Sequence, residues 1–206
     1  MAITYPLTLP TSVSFTDMQY IPRTVVGFSA SRFTGQQQTY VWPGQWWEVR
    51  CKLPPLTTDA LADAWIAFLL SLNGRHGTFN MGPSTRKLPN ILTALAQVGS
   101  GGATANSSTL PITLFSAGSG LTVGDWIQHG TGASARLHRI VQVNAFVGTA
   151  GSVEIFPRAR SAYAAGSGLV LTNPVGHFRL ASDDSMGWSV DLAKNTGLEI
   201  NAMEVL

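Results

Sequence analysis

The residues able to carry acid, base, nucleophilic or metal chemistry are few in this chain and poorly spaced for it. The four histidines, His76, His129, His138 and His177, include no pair at the spacing of a helical metal site or a zinc-finger half. Cys51 is the only cysteine, which excludes an intrachain disulfide and a cysteine zinc site. Its neighbours alternate in polarity, so it reads as a buried strand thiol and not as a reactive nucleophile. Asp183-Asp184 is the only acidic pair, but adjacent side chains point apart, whereas two catalytic carboxylates must face each other across a substrate. The segment Ala181 to Ser185 reads instead as an exposed turn whose side chains bond their own backbone. Gly99-Ser100-Gly101-Gly102 and Gly118-Ser119-Gly120 lack the Gly-Lys-Ser/Thr continuation of a phosphate loop, and Ala117 stands where a nucleophile elbow needs Gly. The expectation is a protein that is not an enzyme, with no catalytic residue, no metal site and no cofactor. A hydrolase assembled from a distant Ser, His and Asp is the one catalytic arrangement that spacing leaves open.

Aromatic and basic residues offer binding chemistry. Trp42, Trp46 and Trp47 cluster among the six tryptophans. Trp47 lies on the apolar face of its strand and is expected in the core; Trp46, off that face, is a candidate for a subunit contact. Trp126, after the turn at Gly124-Asp125, is expected in a barrel core, and Arg158 and Arg160 are expected in an exposed turn. Arg136, Arg139, Arg158 and Arg160, with Trp126, Phe146 and Tyr163, could together form a groove for single-stranded nucleic acid or glycan. With a net charge of +2 and 12% charged residues, electrostatics alone gives no argument for a polyanion. The longest apolar run, Ala64 to Leu70, is too short to cross a bilayer, and the N-terminus has no basic region followed by an apolar run. A soluble protein without an export signal is expected.

These residues sit on a framework of strands with one helix. Leu61, Trp65, Phe68, Leu69 and Leu72 recur at helical spacing between a Thr57-Thr58 start and an Asn73-Gly74 stop, so a helix over about 57–73 is predicted. Met1 to Thr11 reads as an extended arm or edge segment because of Pro6 and Pro10. Strands are predicted at Val13 to Met18, Thr24 to Phe33 and Gln37 to Trp42, broken by Pro22, Gly35 and Pro43-Gly44. Trp46 to Leu53 alternates most clearly, and Thr78 to Met81 follows the helix. Beyond a glycine-rich loop at Gly99 to Ser108, strands at Thr109 to Phe115, Asp125 to His129, Ala135 to Asn144, Ser152 to Phe156 and Leu169 to Thr172 suggest a small closed barrel. The repeat Ala117 to Leu121 and Ala165 to Leu169 reads as two similar turns. Gly176 to Leu180, Trp188 to Leu192 and Leu198 to Val205 are the last strands, the final two joined by a turn at Lys194 to Gly197.

Composition breaks near Leu88 and Pro174. The fold expected is mainly β with one α-helix: a discontinuous split β-barrel or sandwich domain, residues 1–88 and 175–206, with a small OB-like β-barrel inserted at 89–174. The Leu-Pro-Pro-Leu-Thr helix start at 53–57, the Asn73-Gly74 stop, the Thr78-Phe79-Asn80-Met81 strand, Gly124-Asp125-Trp126, Phe156-Pro157-Arg158 and Gly176-His177-Phe178-Arg179-Leu180 follow one another in a familiar order. That order resembles the distal tail proteins of long-tailed, siphovirus-type bacteriophages, in particular those whose ring domain carries an inserted OB-fold barrel. The resemblance implies a structural virion protein, assembled in the bacterial host cytoplasm and located at the tail tip. Six copies would form a ring joining the tail tube protein to the tail tip or baseplate hub. The inserted barrel would project outward, toward tail fibres or glycan, and the family has no catalytic residues to carry over.

Overall fold

The computed structural model describes residues 3–85, 95–115, 120–191 and 195–206. In chain order its elements are β1 (Leu7–Thr8), β2 (Asp17–Ala30), β3 (Gln37–Lys52), α1 (Asp59–Leu72), β4 (Phe79–Met81), β5 (Leu95–Val98), β6 (Thr109–Leu114), β7 (Trp126–His129), β8 (Arg136–Val143), β9 (Ala150–Phe156), β10 (Gly168–Val170), β11 (Gly176–Leu180), β12 (Trp188–Val190) and β13 (Thr196–Glu204). Short 3-10 turns at Gly132–Ser134 and Asp183–Met186 complete the set.

Among the described residues the architecture is mainly β with a single α-helix. One mixed sheet runs β1-β4-β11-β13-β3-β2, with β12 paired to the start of β13, and the strands from β5 to β10 close a separate barrel in the order β10-β5-β6-β9-β8-β7. The sheet therefore takes strands from both ends of the chain and the barrel takes those between. The boundary expected near Leu88 lies outside the described residues. All neighbouring barrel strands are antiparallel. Six strands close the barrel, one more than the OB pattern has.

Helix α1 lies on the sheet because its apolar stripe matches the sheet's alternating face. Ala62, Trp65, Phe68, Leu69 and Leu72 are buried, and they pack with Trp47, Val49 and Cys51 from β3, with Leu53 just after it, and with Phe79, Phe178 and Ile200. Thr58 is the N-cap in extended conformation, but its side chain makes no capping bond, contrary to expectation. The helix stops where expected: Asn73 and Gly74 both take left-handed φ, 49° and 66°. Asp183 crowds Gly74 where a Cβ would stand.

Several predicted segments differ. Pro22 and Pro43-Gly44 do not break strands: β2 and β3 form one long hairpin that runs through both. Pro22 is tolerated because β2 is an edge strand, and Val25 faces three residues of β3, Trp42, Pro43 and Gly44, in a bulge between the Thr24–Gln45 and Val26–Val41 pairs. Val13 to Thr16 is not strand; β2 starts at Asp17. Gly99 to Ser108 is not a free tip. Ala103 and Tyr163 exchange both backbone bonds, at 2.9 and 2.8 Å, and Asn106 N–H donates to Ala159 O. β5 is a strand that the sequence reading did not place. The first glycine repeat falls largely outside the described residues, whereas the second leads into β10. The turn before β13 is held by Asp191 and Asn195 (Asp191 N–H to Asn195 O, 3.1 Å), with Thr196 and Gly197 already in the strand.

The barrel is fastened to the sheet by aromatic and polar contacts. Trp126 leaves the barrel interior, contrary to expectation, and packs on Tyr20 and Trp47 at centroid distances of 4.9 and 5.2 Å. Trp47 stacks edge-on against Phe156 and donates its indole N–H to Leu137 O at 3.1 Å. Beside them, Arg160 donates to the buried carboxylate of Glu204 at 2.9 Å, and the same carboxylate accepts Trp47 N–H at 3.2 Å. Arg158 N–H donates to Gln45 Oε1 and Val175 N–H to Gln128 Oε1.

Candidate interaction surface

Most of the residues singled out for chemistry pack inward, and of these His129, His138 and Tyr163 are brought together. His138 is buried in the barrel: its Nδ1–H donates to Pro157 O at 2.8 Å, which leaves Nε2 to accept from the Tyr163 hydroxyl at 2.9 Å. Burial pushes its pKa down to about 4, so the ring is neutral. His129 stacks on Tyr163 with centroids 3.6 Å apart, and its Nε2 lies 3.1 Å from Ser167 Oγ. The Ser167 hydroxyl donates to Ala164 O at 2.7 Å, so its proton points away from the imidazole, the reverse of an activated nucleophile. His76 stands edge-on to Tyr5, and His177 is buried on β11. Among the described residues no three His, Cys, Asp or Glu side chains gather in a way that could hold a metal ion.

Cys51 is buried against Met81, with the sulfurs 3.8 Å apart, and burial pushes its thiol up to about 12. Asp183 does not bond its own turn alone: its carboxylate accepts Arg75 N–H at 2.9 Å and ties that turn to the loop after α1. The groove proposed for nucleic acid or glycan is not assembled. Trp126 and Tyr163 are buried, Phe146 packs on the barrel core, Arg139 covers Trp126 at 5.3 Å, and Arg160 is paired with Glu204. Base stacking needs an open ring face, and neither Trp126 nor Tyr163 has one.

What the fold does expose is the outer half of the β2–β3 hairpin. Past the bulge at Val25, pairing continues from Val26–Val41 to Ala30–Gln37 with no other strand on either side among the described residues. Cross-strand partners share a face, so Val26, Phe28, Thr39 and Val41 form one face and Gly27, Tyr40 and Trp42 the other. Both faces are open to solvent: Phe28 is 64% exposed, Tyr40 62%, Val41 54% and Trp42 52%, and Phe33 at the tip is wholly exposed. The tip is held in shape. Ser31 Oγ accepts the N–H groups of Phe33 and Thr34, Ser31 N–H donates to Gln36 O, and Gly35 adopts φ 67°. Tyr40 and Trp42 pack edge-to-face at 4.8 Å. Between Thr24 and Gln45 the only charged residue is Arg32.

A two-stranded ribbon with apolar side chains on both faces has no core of its own, which makes its exposed surface the candidate for association. The sequence signal was present in the alternation of Val, Phe, Tyr and Trp with almost no charge. It did not distinguish a core strand from a projecting one. No known protein family matches the chain, and no curated protein matches it either. Among the described residues no helix is long and apolar enough to cross a membrane.

Proposed function

We propose that the protein is a structural, self-assembling component of a phage tail: a distal tail protein whose copies form a closed ring, expected to be hexameric, between the tail tube and the tip or baseplate hub. The observation that carries this reading is the solvent-exposed apolar hairpin. Its seven large apolar side chains, Val25, Val26, Phe28, Phe33, Tyr40, Val41 and Trp42, present on the order of 800 Å² of surface, about what one partner contributes to a stable protein interface. A ribbon of that size suits repeated contact with a second copy, and ring closure requires such a contact to be heterologous. The domain order that resembles distal tail proteins supplies the choice of assembly.

Sedimentation or mass photometry of the full chain over a concentration series, followed by electron microscopy, tests the reading. A single closed oligomer is expected. A monomer at every concentration that also fails to enter tail particles when these are reconstituted would overturn it.

A further inference from the structure

A head-to-tail ring needs a second surface, different from the hairpin and placed so that a neighbour's hairpin reaches it. The register of the sheet locates one. β3 pairs with β13 from Lys52–Glu199 to Glu48–Met203, so the hairpin projects beyond the end of the sheet where β13 finishes. β12 pairs with the opposite end of β13, Trp188 with Leu198 and Val190 with Thr196. It lies on the β11 side, because Leu53 and Leu56 bond Leu198 O and Thr196 on the other. Hairpin and β12 thus sit at opposite ends of the strands and on opposite sides of β13.

β12 also has the chemistry of an acceptor. Trp188 is 44% exposed and Val190 61%, two residues apart and therefore on one face of a three-residue edge strand. Asp183, Asp184 and Asp191 bracket them in sequence, while the hairpin's single charge is the cation Arg32, next to Phe33 at its tip. The bond from Arg75 N–H to Asp183 ties the turn before β12 to the loop after α1, so the patch is held against the body of the molecule. We infer that Trp188 and Val190 on β12 are the docking surface for the β2–β3 hairpin of a second copy of this chain, with Arg32 meeting the acidic rim. The inference rests on the ring-forming reading above.

Complementation between two broken versions tests it. A Trp188→Asp, Val190→Asp double variant loses the acceptor, and a Phe28→Asp, Phe33→Asp variant loses the hairpin. All four residues are exposed, so each variant is expected to keep the wild-type melting temperature within a few degrees. Each alone is expected to run at monomer mass, and an equimolar mixture at dimer mass without larger species, since one intact hairpin meets one intact acceptor. A photo-crosslinker at Phe33 in the wild-type sequence is expected to label a peptide containing Trp188 to Val190. The inference is overturned if the folded acceptor variant assembles as wild type does, if the mixture stays monomeric, or if the crosslink joins hairpin to hairpin. If the wild-type chain remains monomeric at every concentration and also fails to enter reconstituted tail particles, the ring reading fails first and the docking surface falls with it.

Discussion

His138 and Glu204 are two buried ionisable groups whose surroundings shape how the molecule responds to pH and to substitution. His138 has a depressed pKa, chiefly through burial, with His129, Arg160 and Arg136 acting in the same direction against the bond to Pro157. A depressed base contributes stability that is complete above its unfolded value near 6.5 and is lost as pH falls through its folded value of about 4. Unfolding free energy from urea titrations should therefore fall by about 3 kcal/mol between pH 7 and pH 4 on account of this one ring. His138→Gln, which removes the titrating group, should flatten that part of the profile; an unchanged slope would show that His138 does not cause it. Glu204 is shifted the other way, raised by burial although Arg160 opposes the shift. Arg160→Ala leaves this carboxylate buried without its cation, at a cost of about 3 kcal/mol at pH 7. Because the neutral acid needs no cation, the deficit should shrink as pH falls through the raised pKa of Glu204. A deficit that stays constant with pH would contradict the pairing.

At the scale of elements, α1 and the hairpin behave oppositely. Trp65, fully buried at the centre of the helix stripe and edge-on to Phe15 and Phe68, closes the core over the sheet. Trp65→Ala should cost roughly 3–5 kcal/mol in chemical denaturation, and a loss below about 1 kcal/mol with the fold intact would remove the helix from the core. The hairpin should contribute almost nothing to monomer stability. Replacing residues 27–40 by a two-residue Asn-Gly turn should leave the melting temperature within a few degrees of wild type and abolish self-association. A large drop in melting temperature would mean that the outer ribbon packs on its own chain.

These two elements also mark how far the sequence could be read. The helix was legible because Leu61 to Leu72 repeats at a period only a helix satisfies and Asn73-Gly74 stops it. The strands were legible as pieces, but Pro22 and Pro43 looked like breaks, since proline's tolerance depends on whether a strand is an edge, a tertiary fact. Trp126 was misplaced for a related reason. A tryptophan in a barrel strand can face inward or outward, and the partners that draw it out, Tyr20 and Trp47, are about 80 to 100 positions away. The residues of the expected groove are drawn away on the same ground: Arg160 finds Glu204 once the barrel is seated on the sheet, and Tyr163 finds His138 within the barrel itself.

For the molecule as a whole, the sheet draws on both ends of the chain and the barrel is locked to it by Trp47, Trp126 and the Arg160–Glu204 pair. The sheet then carries a projecting apolar ribbon at one end and an exposed apolar strand flanked in sequence by aspartates at the other, the two unlike faces that a closed ring requires. The most direct test is the mass of the full chain in solution, measured beside the hairpin-shortened variant at the same concentrations. The ring account predicts one discrete oligomer that stops growing at a fixed copy number for the wild type and a folded monomer for the variant. Equal masses with both proteins assembled would contradict it, and so would two monomers if the wild type also stays out of reconstituted tail particles.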